Sequence, residues 1–200
     1  MIKNPSEKDE IYLSSVAKIG SSTDNIKYIE NILSQEDHKA ILDFVKTRES
    51  WNLEPWGSNT VRPNEIPKEI FNLLDKVFTT AYEKAKDYYN VDLTYLADGR
   101  LTLFKFATGF NLPKHVDILS DEALHIATVY YINDDYTGGE IVFSDHDVKI
   151  KPKANSLVIF PGNESYSHEV LEITDKDRYS SALWFMFTGS TFYKQKEWYN

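Results

Sequence analysis

Cysteine is missing altogether from the 200 residues. That excludes a disulfide framework, a thiolate zinc site and a cysteine nucleophile, and it fits a reducing, cytoplasmic setting. Basic charge is also short, with 22 Lys and Arg against 31 Asp and Glu and a formal net charge of −9. Non-specific attraction to nucleic acid or to an anionic membrane needs clustered Lys and Arg, so neither is expected as a partner. No stretch reaches the roughly 18 consecutive apolar residues of a membrane span. The opening "MIKNPSEKDE" lacks the apolar region of a signal peptide. There are only 8 Gly and 7 Pro, with no repeat and no low-complexity linker. What is present is 42% hydrophobic and 14% aromatic, enough to bury a sizeable core in a single domain spanning residues 1–200.

Residues 1–25 read as a polar arm. In "YIENILSQEDHKAILDFVKTR" a short strand runs into a helix, with Ser34 as N-cap, Asp37 three residues on, and Ile41, Leu42 and Val45 at helical spacing. Trp51 to Pro67 holds three prolines, Gly57 and two tryptophans, and reads as loop with room for one short strand. Ile66, Ile70, Leu73, Leu74, Val77, Phe78, Ala81, Tyr82 and Ala85 then mark the core face of a long helix. Residues 26–98 are therefore mainly helical support. After Gly99 the period shortens to that of strands: "RLTLFKFA", "HIATVYYIN", "EIVFS", "VKIKP", "NSLVIFP", "EVLEI" and "RYSSALWFMF" are each bounded by Gly, Pro, Asn or Asp. The fold class expected is α+β, with residues 99–190 forming a jelly-roll sandwich or barrel covered on one side by the helices.

Within the strand-rich half, "FATGFNLPKHVDILSDE" contains His115 and Asp117 two positions apart, which alone is weak evidence of chelation. A third ligand has to be a histidine that folding brings close. His168 opens the strand "EVLEI", a strand-edge position suited to a ligand. His146 sits in the acidic turn "FSDHDV", which favours solvent, and His125 and His38 have no partner spaced for chelation. Two His and one Asp make the facial triad of non-haem iron(II) oxygenases, with open positions for co-substrate and oxygen; zinc hydrolases use similar ligands, so the triad leaves the chemistry undecided. Ten positions after His168 comes Arg178, with Ser180 on the same strand face. A buried Arg offers a planar fork to a carboxylate, whereas an exposed one at a strand edge would be ordinary surface charge.

The ordered pattern of His-x-Asp, a distal His and Arg-x-Ser resembles the 2-oxoglutarate- and iron(II)-dependent dioxygenases, most of all their prolyl 4-hydroxylase branch. The resemblance runs from about Ile29 to Phe187 and is carried by "FKFATGFNLPKHVD", "ATVYYINDDYTGGEIVF", "VKIKPKANSLVIFPG", "SHEV" and "RYSSALWF", together with the opening helix "IENILSQEDHKAILDFV". It implies a double-stranded β-helix (jelly-roll, cupin-like) with the N-terminal helices packed on one sheet. It implies iron(II) on His115, Asp117 and His168, and 2-oxoglutarate on Arg178 with Tyr131 and Ser180 donating hydroxyls. Trp184 would lie near the co-substrate or pack in the core. Strand alternation puts Ala127, Val129 and Tyr131 on one face, consistent with Tyr131 pointing inward. Two departures stand out: Phe106 occupies a place where many prolyl hydroxylases carry Tyr, and the basic residue is Arg where collagen-type enzymes have Lys.

The activity implied is hydroxylation of an unactivated C–H bond with O2, releasing succinate and CO2, with ascorbate as reductant. Asp117 favours hydroxylation over halogenation, because halogenases lack that carboxylate. The substrate expected is a prolyl residue in a peptide or protein, with 51–67 as a lid over it or as an inert packed loop. The alternatives are a free amino acid or other small molecule, or a non-catalytic metal-binding jelly-roll module; intact Arg178 and all three ligands argue against the last. From His115 to Asp147 eight acidic residues fall with no Lys or Arg among them. They read either as solvated turns or as a negative rim that steers a basic polypeptide to the metal.

Overall fold

The computed structural model describes residues 19–55, 57–95, 101–117 and 125–187. Among these, two α-helices, α1 (Gln35–Thr47) and α2 (Lys68–Tyr89), alternate with and then give way to strands. In chain order the strands are β1 (Lys27–Glu30), β2 (Asn52–Leu53), β3 (Asn59–Val61), β4 (Leu93–Tyr95), β5 (Thr102–Phe106), β6 (Leu112–His115) and β7 (His125–Tyr131). They continue with β8 (Thr137–Gly138), β9 (Ile141–Phe143), β10 (Val148–Ile150), β11 (Ser156–Pro161), β12 (His168–Val170), β13 (Ile173–Asp175) and β14 (Arg178–Phe187).

The larger sheet runs β1-β11-β7-β14-β5-β3-β2, with β4 also on β14; a smaller sheet runs β10-β9-β12-β6, and β13 pairs with β8. All pairings are antiparallel. This is the α+β double-stranded β-helix expected, with both helices on the outer face of the large sheet. The period-two alternation of its central strands divides the core. Ile126 and Tyr130 of β7, Leu157 and Ile159 of β11, and Leu183 and Phe185 of β14 join Ile41 and Val45 of α1 and Leu74, Phe78 and Ala81 of α2. The opposite faces, Ala127 and Tyr131 of β7 with Val158 and Phe160 of β11, meet Ile141 and Phe143 of the small sheet. The cleft between the two sheets is where the site lies.

Helix α1 starts as its sequence indicates, for the Ser34 side chain accepts the amide of Asp37 at 3.1 Å. The reciprocal half of a capping box does not form. Asp37 instead takes Lys76 of α2 at 2.8 Å, tying the two helices together. Helix α2 begins only after Pro67, and Ile66, still buried, follows the 3-10 turn Pro63–Glu65. It ends at Asn90 in the left-handed conformation, a common helix stop. The stretch 51–67 is more ordered than a loop. Strands β2 and β3 form a hairpin that pairs through β3 with β5, and Thr60 and Val61 are buried, so the base of this segment is fixed and only its tip projects. Together with β1 and β4 it shows that the support region supplies four strands to the large sheet. The arm before Ile19 lies outside the described residues. Its last residues dock by a 3-10 turn, Thr23–Asn25, where Asn25 and the Ser22 amide both donate to the Tyr166 hydroxyl.

Candidate active site

Four strands converge on the site. His115 ends β6 and His168 begins β12, and these two residues are direct cross-strand partners, so their rings lie 4.3 Å apart between centroids. Asp117 follows β6 by two residues, and its Oδ1 is 3.5 Å from His115 Nε2. The three side chains offer ligand atoms all within 4.8 Å of one another, and theirs is the group of this kind found among the described residues.

The surroundings select the tautomers. His115 Nδ1 lies 2.8 Å from the Pro113 carbonyl and His168 Nδ1 lies 3.1 Å from the Tyr166 carbonyl. A carbonyl only accepts, so each Nδ1 carries the proton and each Nε2 keeps its lone pair for the third partner. Trp184 Nε1 donates to Asp117 Oδ2 at 3.1 Å, leaving Oδ1 on the side of the rings. His168 is buried against Phe143 and Phe160, with ring centroids 5.3 and 4.7 Å away.

Electrostatics agree with this geometry. Burial alone would push the Asp117 carboxyl up, but the His115 hydrogen bond, both imidazoles and the Trp184 N–H hold it below the usual carboxylate range. Burial lowers His168, and the neighbouring His115 adds to this against the pull of Asp117, so its neutral, ligating form is favoured. His115 is also penalised by burial, yet Asp117 and the Pro113 carbonyl outweigh that and raise it.

Further along the cleft, Arg178 opens β14. It is 3% exposed, and its guanidinium lies 4.5 Å from the Phe106 ring centroid and 5.6 Å from that of Tyr131. Its Nη1 donates to the Gly139 carbonyl at 3.3 Å, while Nε has no partner among the described residues. No carboxylate within ion-pair reach of it is found among the described residues. Burying a cation without a counter-ion is costly, so a pocket built this way fits an anionic ligand. Ser180 sits two residues on, directly across from Tyr131 in the β14–β7 register, and both are buried. Burial pushes the Tyr131 hydroxyl up to about 12 despite the opposing pull of Arg178, which keeps it a proton donor. Asn133 fixes the start of β14: its Oδ1 accepts the Tyr179 amide at 2.7 Å and its Nδ2 donates to the Asp177 carbonyl at 2.9 Å.

The structure thus brings together His115, Asp117 and His168 in one cluster and Arg178, Tyr131 and Ser180 in another. Trp184 is half-buried and reaches Asp117. His146 is half-buried rather than solvated: it stacks on Tyr166 at 4.7 Å, and its Nε2 meets the Ser165 carbonyl at 2.7 Å. His38 is buried and satisfied by the Tyr130 hydroxyl at 2.8 Å. His125 heads β7, while its side chain, Asp121 and Glu122 lie outside the described residues. One residue beside the site was missed by sequence reasoning, Tyr136. It is buried with an unpartnered hydroxyl, and the only hint of it was its place just before Gly138-Gly139. Both glycines have positive φ; a side chain on Gly138 would overlap the Glu172 carbonyl, and one on Gly139 would press on the Tyr136 ring.

A strand-built cleft thus sets a two-His, one-carboxylate cluster near a buried Arg that has no counter-ion among the described residues, an arrangement that can hold a divalent metal beside an anionic ligand. Comparison with known proteins agrees. Residues 101–186 match the 2OG-Fe(II) oxygenase superfamily. Over 76 residues, 36% of this chain, it is 34% identical to prolyl 3-hydroxylase 2 of Homo sapiens and of Rattus norvegicus, and the match covers 10% of those longer proteins. Among solved structures it is similar to a viral collagen prolyl hydroxylase from Paramecium bursaria Chlorella virus-1 in complex with 2OG (TM-score 0.65, 17% identity, 82% of this chain and 96% of that one). It is also similar to a Trichoplax adhaerens prolyl hydroxylase in complex with a hypoxia-inducible-factor peptide (TM-score 0.65, 17% identity, 96% and 92%). A Pseudomonas putida prolyl-4-hydroxylase gives a TM-score of 0.62 at 18% identity, covering 86% and 98%. At these identities the solved structures support the fold alone.

Proposed function

We propose that this protein is an iron(II)- and 2-oxoglutarate-dependent hydroxylase acting on a prolyl residue in a peptide or protein. The observation that carries the reading is Arg178, a buried guanidinium with no counter-ion among the described residues, in the same cleft as the His115–Asp117–His168 cluster. A structural metal site would have no use for it.

Bound iron(II) and 2-oxoglutarate together supply an O2-dependent oxidation in which the co-substrate leaves as succinate and CO2 and a C–H bond becomes C–OH. The residues prepare this. His115 and His168 present Nε2 because their Nδ1 protons are committed to carbonyls, and Asp117 presents Oδ1 because Trp184 holds Oδ2. His115, Asp117 and His168 would hold the metal by three protein atoms and leave the rest of its surroundings to the co-substrate. Arg178 pairs with the distal carboxylate, which fixes the length of acid the pocket accepts, and Tyr131 and Ser180 lie beside it as hydroxyl donors. Phe143 and Phe160 keep water from the His168 side. Ascorbate would serve only to restore the reduced metal.

A prolyl substrate is supported by the named relatives and neighbours and by the β2–β3 hairpin, whose tip carries the exposed Leu53 and reaches Phe110 through Gly57. Steering of a basic peptide is weaker than the acid-rich sequence suggests. Asp135 is bridged by Lys46 at 3.0 Å and approached by Lys176 at 4.0 Å, and Asp145 takes Lys114 at 3.0 Å, so two of its carboxylates are offset by lysines from outside the acidic stretch. Anaerobic titration with iron(II) and 2-oxoglutarate, in native protein and in Arg178→Ala, tests the pocket. The reading requires co-substrate binding that the variant loses while keeping its metal.

A further inference from the structure

Three buried side-chain atoms have no hydrogen-bond partner among the described residues: Arg178 Nε, Tyr136 Oη and Ser58 Oγ. Buried polar groups are paired in nearly all folded proteins, so each such atom calls for a reason. For Arg178 the reason is the anion it is built to hold. Tyr136 shares that neighbourhood. It is 4% exposed and forms one cluster with Phe106 and Ile173, and the same Phe106 ring lies under the Arg178 guanidinium at 4.5 Å. Its ring edge faces Gly139, whose carbonyl accepts from Arg178.

The Tyr136 ring is also held still. The Lys151 ammonium lies 4.0 Å from its centroid and donates to the carbonyls of Tyr136, at 3.1 Å, and of Gly138, which fastens the turn on both sides of the ring. The close approach of Gly139 removes the space into which the ring could swing. A hydroxyl fixed this firmly, desolvated and left unpaired beside a counter-ion-free guanidinium is organised for an acceptor that arrives later. Burial pushes this phenol up and keeps it protonated, while the Arg178 charge acts on it in the opposite sense, a sign that the two groups lie within electrostatic reach.

We propose that Tyr136 donates its hydroxyl to the distal carboxylate of the co-substrate alongside Arg178, supplying from the β7–β8 turn a hydrogen bond that Phe106 cannot supply from β5. The proposal rests on Arg178 being the co-substrate anchor. Phe106 gives the cation an aromatic face and no donor. Tyr136, packed in the same cluster as that ring, completes the carboxylate's set of donors. Its role is to select a diacid over a monoacid of similar size.

The test is Tyr136→Phe, which removes one atom and keeps the ring. Affinities for 2-oxoglutarate and for 2-oxobutyrate, which lacks the distal carboxylate, are measured anaerobically with manganese(II) in the metal site; melting temperature is followed in parallel. A hydrogen bond to a charged group is worth roughly a tenfold or greater change in affinity. The expected result is about a tenfold weaker 2-oxoglutarate affinity, unchanged 2-oxobutyrate and metal affinities, and a melting temperature that holds or rises because an unsatisfied buried hydroxyl is gone. Unchanged 2-oxoglutarate affinity in a variant that still depends on Arg178 would overturn the role of Tyr136 and leave the co-substrate reading intact. Equal losses for both acids, or a loss matched by a fall in melting temperature, would overturn it as well. If the native protein takes up no 2-oxoglutarate, it is the underlying reading that fails. Should Tyr136→Phe not fold, 3-fluorotyrosine at this position makes the phenol a stronger donor. A tighter 2-oxoglutarate affinity with 2-oxobutyrate unchanged supports the proposal, and an unchanged or weaker 2-oxoglutarate affinity overturns it.

Discussion

Replacing Trp184 by Phe isolates the contact that orients the carboxylate of the metal cluster. The indole N–H donates to Asp117 Oδ2 at 3.1 Å, and the Asp117 side chain is only 15% exposed, so water cannot easily replace the lost donor. A hydrogen bond to a charged group contributes about 1.5–3 kcal/mol, or about 10- to 150-fold in an equilibrium constant. Part of that orientation survives, because Oδ1 remains beside the two histidine rings as a ligand atom of the cluster. Partners that orient metal ligands cost about 10- to 100-fold in affinity when removed, and the expected loss of iron(II) affinity in Trp184→Phe is at the lower end of that range. Trp184 is only half-buried, so the accompanying loss of packing should cost about 1 kcal/mol. Anaerobic titration with a competing chelator gives the affinity, and urea denaturation gives the stability. Iron affinity within twofold of the native protein, together with a clear loss of stability, would show that Trp184 merely packs and that Asp117 orients itself.

Arg178→Ala should weaken 2-oxoglutarate binding by two to four decades, since breaking a buried ion pair costs about 3–5 kcal/mol, and should leave iron affinity within about threefold; calorimetry under nitrogen checks both. Gly138→Ala combines a left-handed backbone with overlap onto the Glu172 carbonyl and should destabilise the protein by about 2–4 kcal/mol in chemical denaturation, whereas Gly109→Ala, which meets no neighbour, should lose about 1 kcal/mol through its backbone conformation alone. His38 is lowered below its ordinary value of 6.5 by burial, against the pull of Asp134. The unfolded chain therefore binds the proton more readily, so the contribution to stability is complete above about pH 6.5 and falls away as pH drops through that value toward the folded pKa. In His38→Gln the slope of stability against pH should flatten in that window. For substrate charge, a proline flanked by Lys should react only slightly faster than one flanked by Glu, and the gap should close at about 0.15 M salt.

The strand-rich half was legible because its period of two is unambiguous. In β7 the expected set Ala127, Val129 and Tyr131 does face the inter-sheet cleft, and Ile126 and Tyr130 face the helices. Ser34 as a cap was legible too, but the partner of Asp37 was not, because Lys76 lies far along the chain. The second strand of the β2–β3 hairpin escaped notice because prolines and tryptophans mask two very short strands, β3 held by β5 and β2 held by β3. His115, Asp117 and His168 were legible as an ordered pattern, and the reason they meet is a single cross-strand register between β6 and β12. Tyr136 could not be read from sequence, since nothing local distinguishes a buried, unpaired phenol from an ordinary turn tyrosine. The pairing of Asp135 and Asp145 with lysines has the same origin. Lys46, Lys114 and Lys176 lie outside the acidic stretch in sequence and reach it only in the fold.

The central claim is tested most directly by incubating the iron-loaded protein with 2-oxoglutarate, O2 and a library of proline-containing peptides, and measuring succinate and peptide mass in the same samples. The expected result is that one or more peptides gain a single oxygen atom on proline in step with succinate formed, and that Arg178→Ala abolishes both. Peptides left unmodified throughout, with no succinate above the iron-free control, would contradict it.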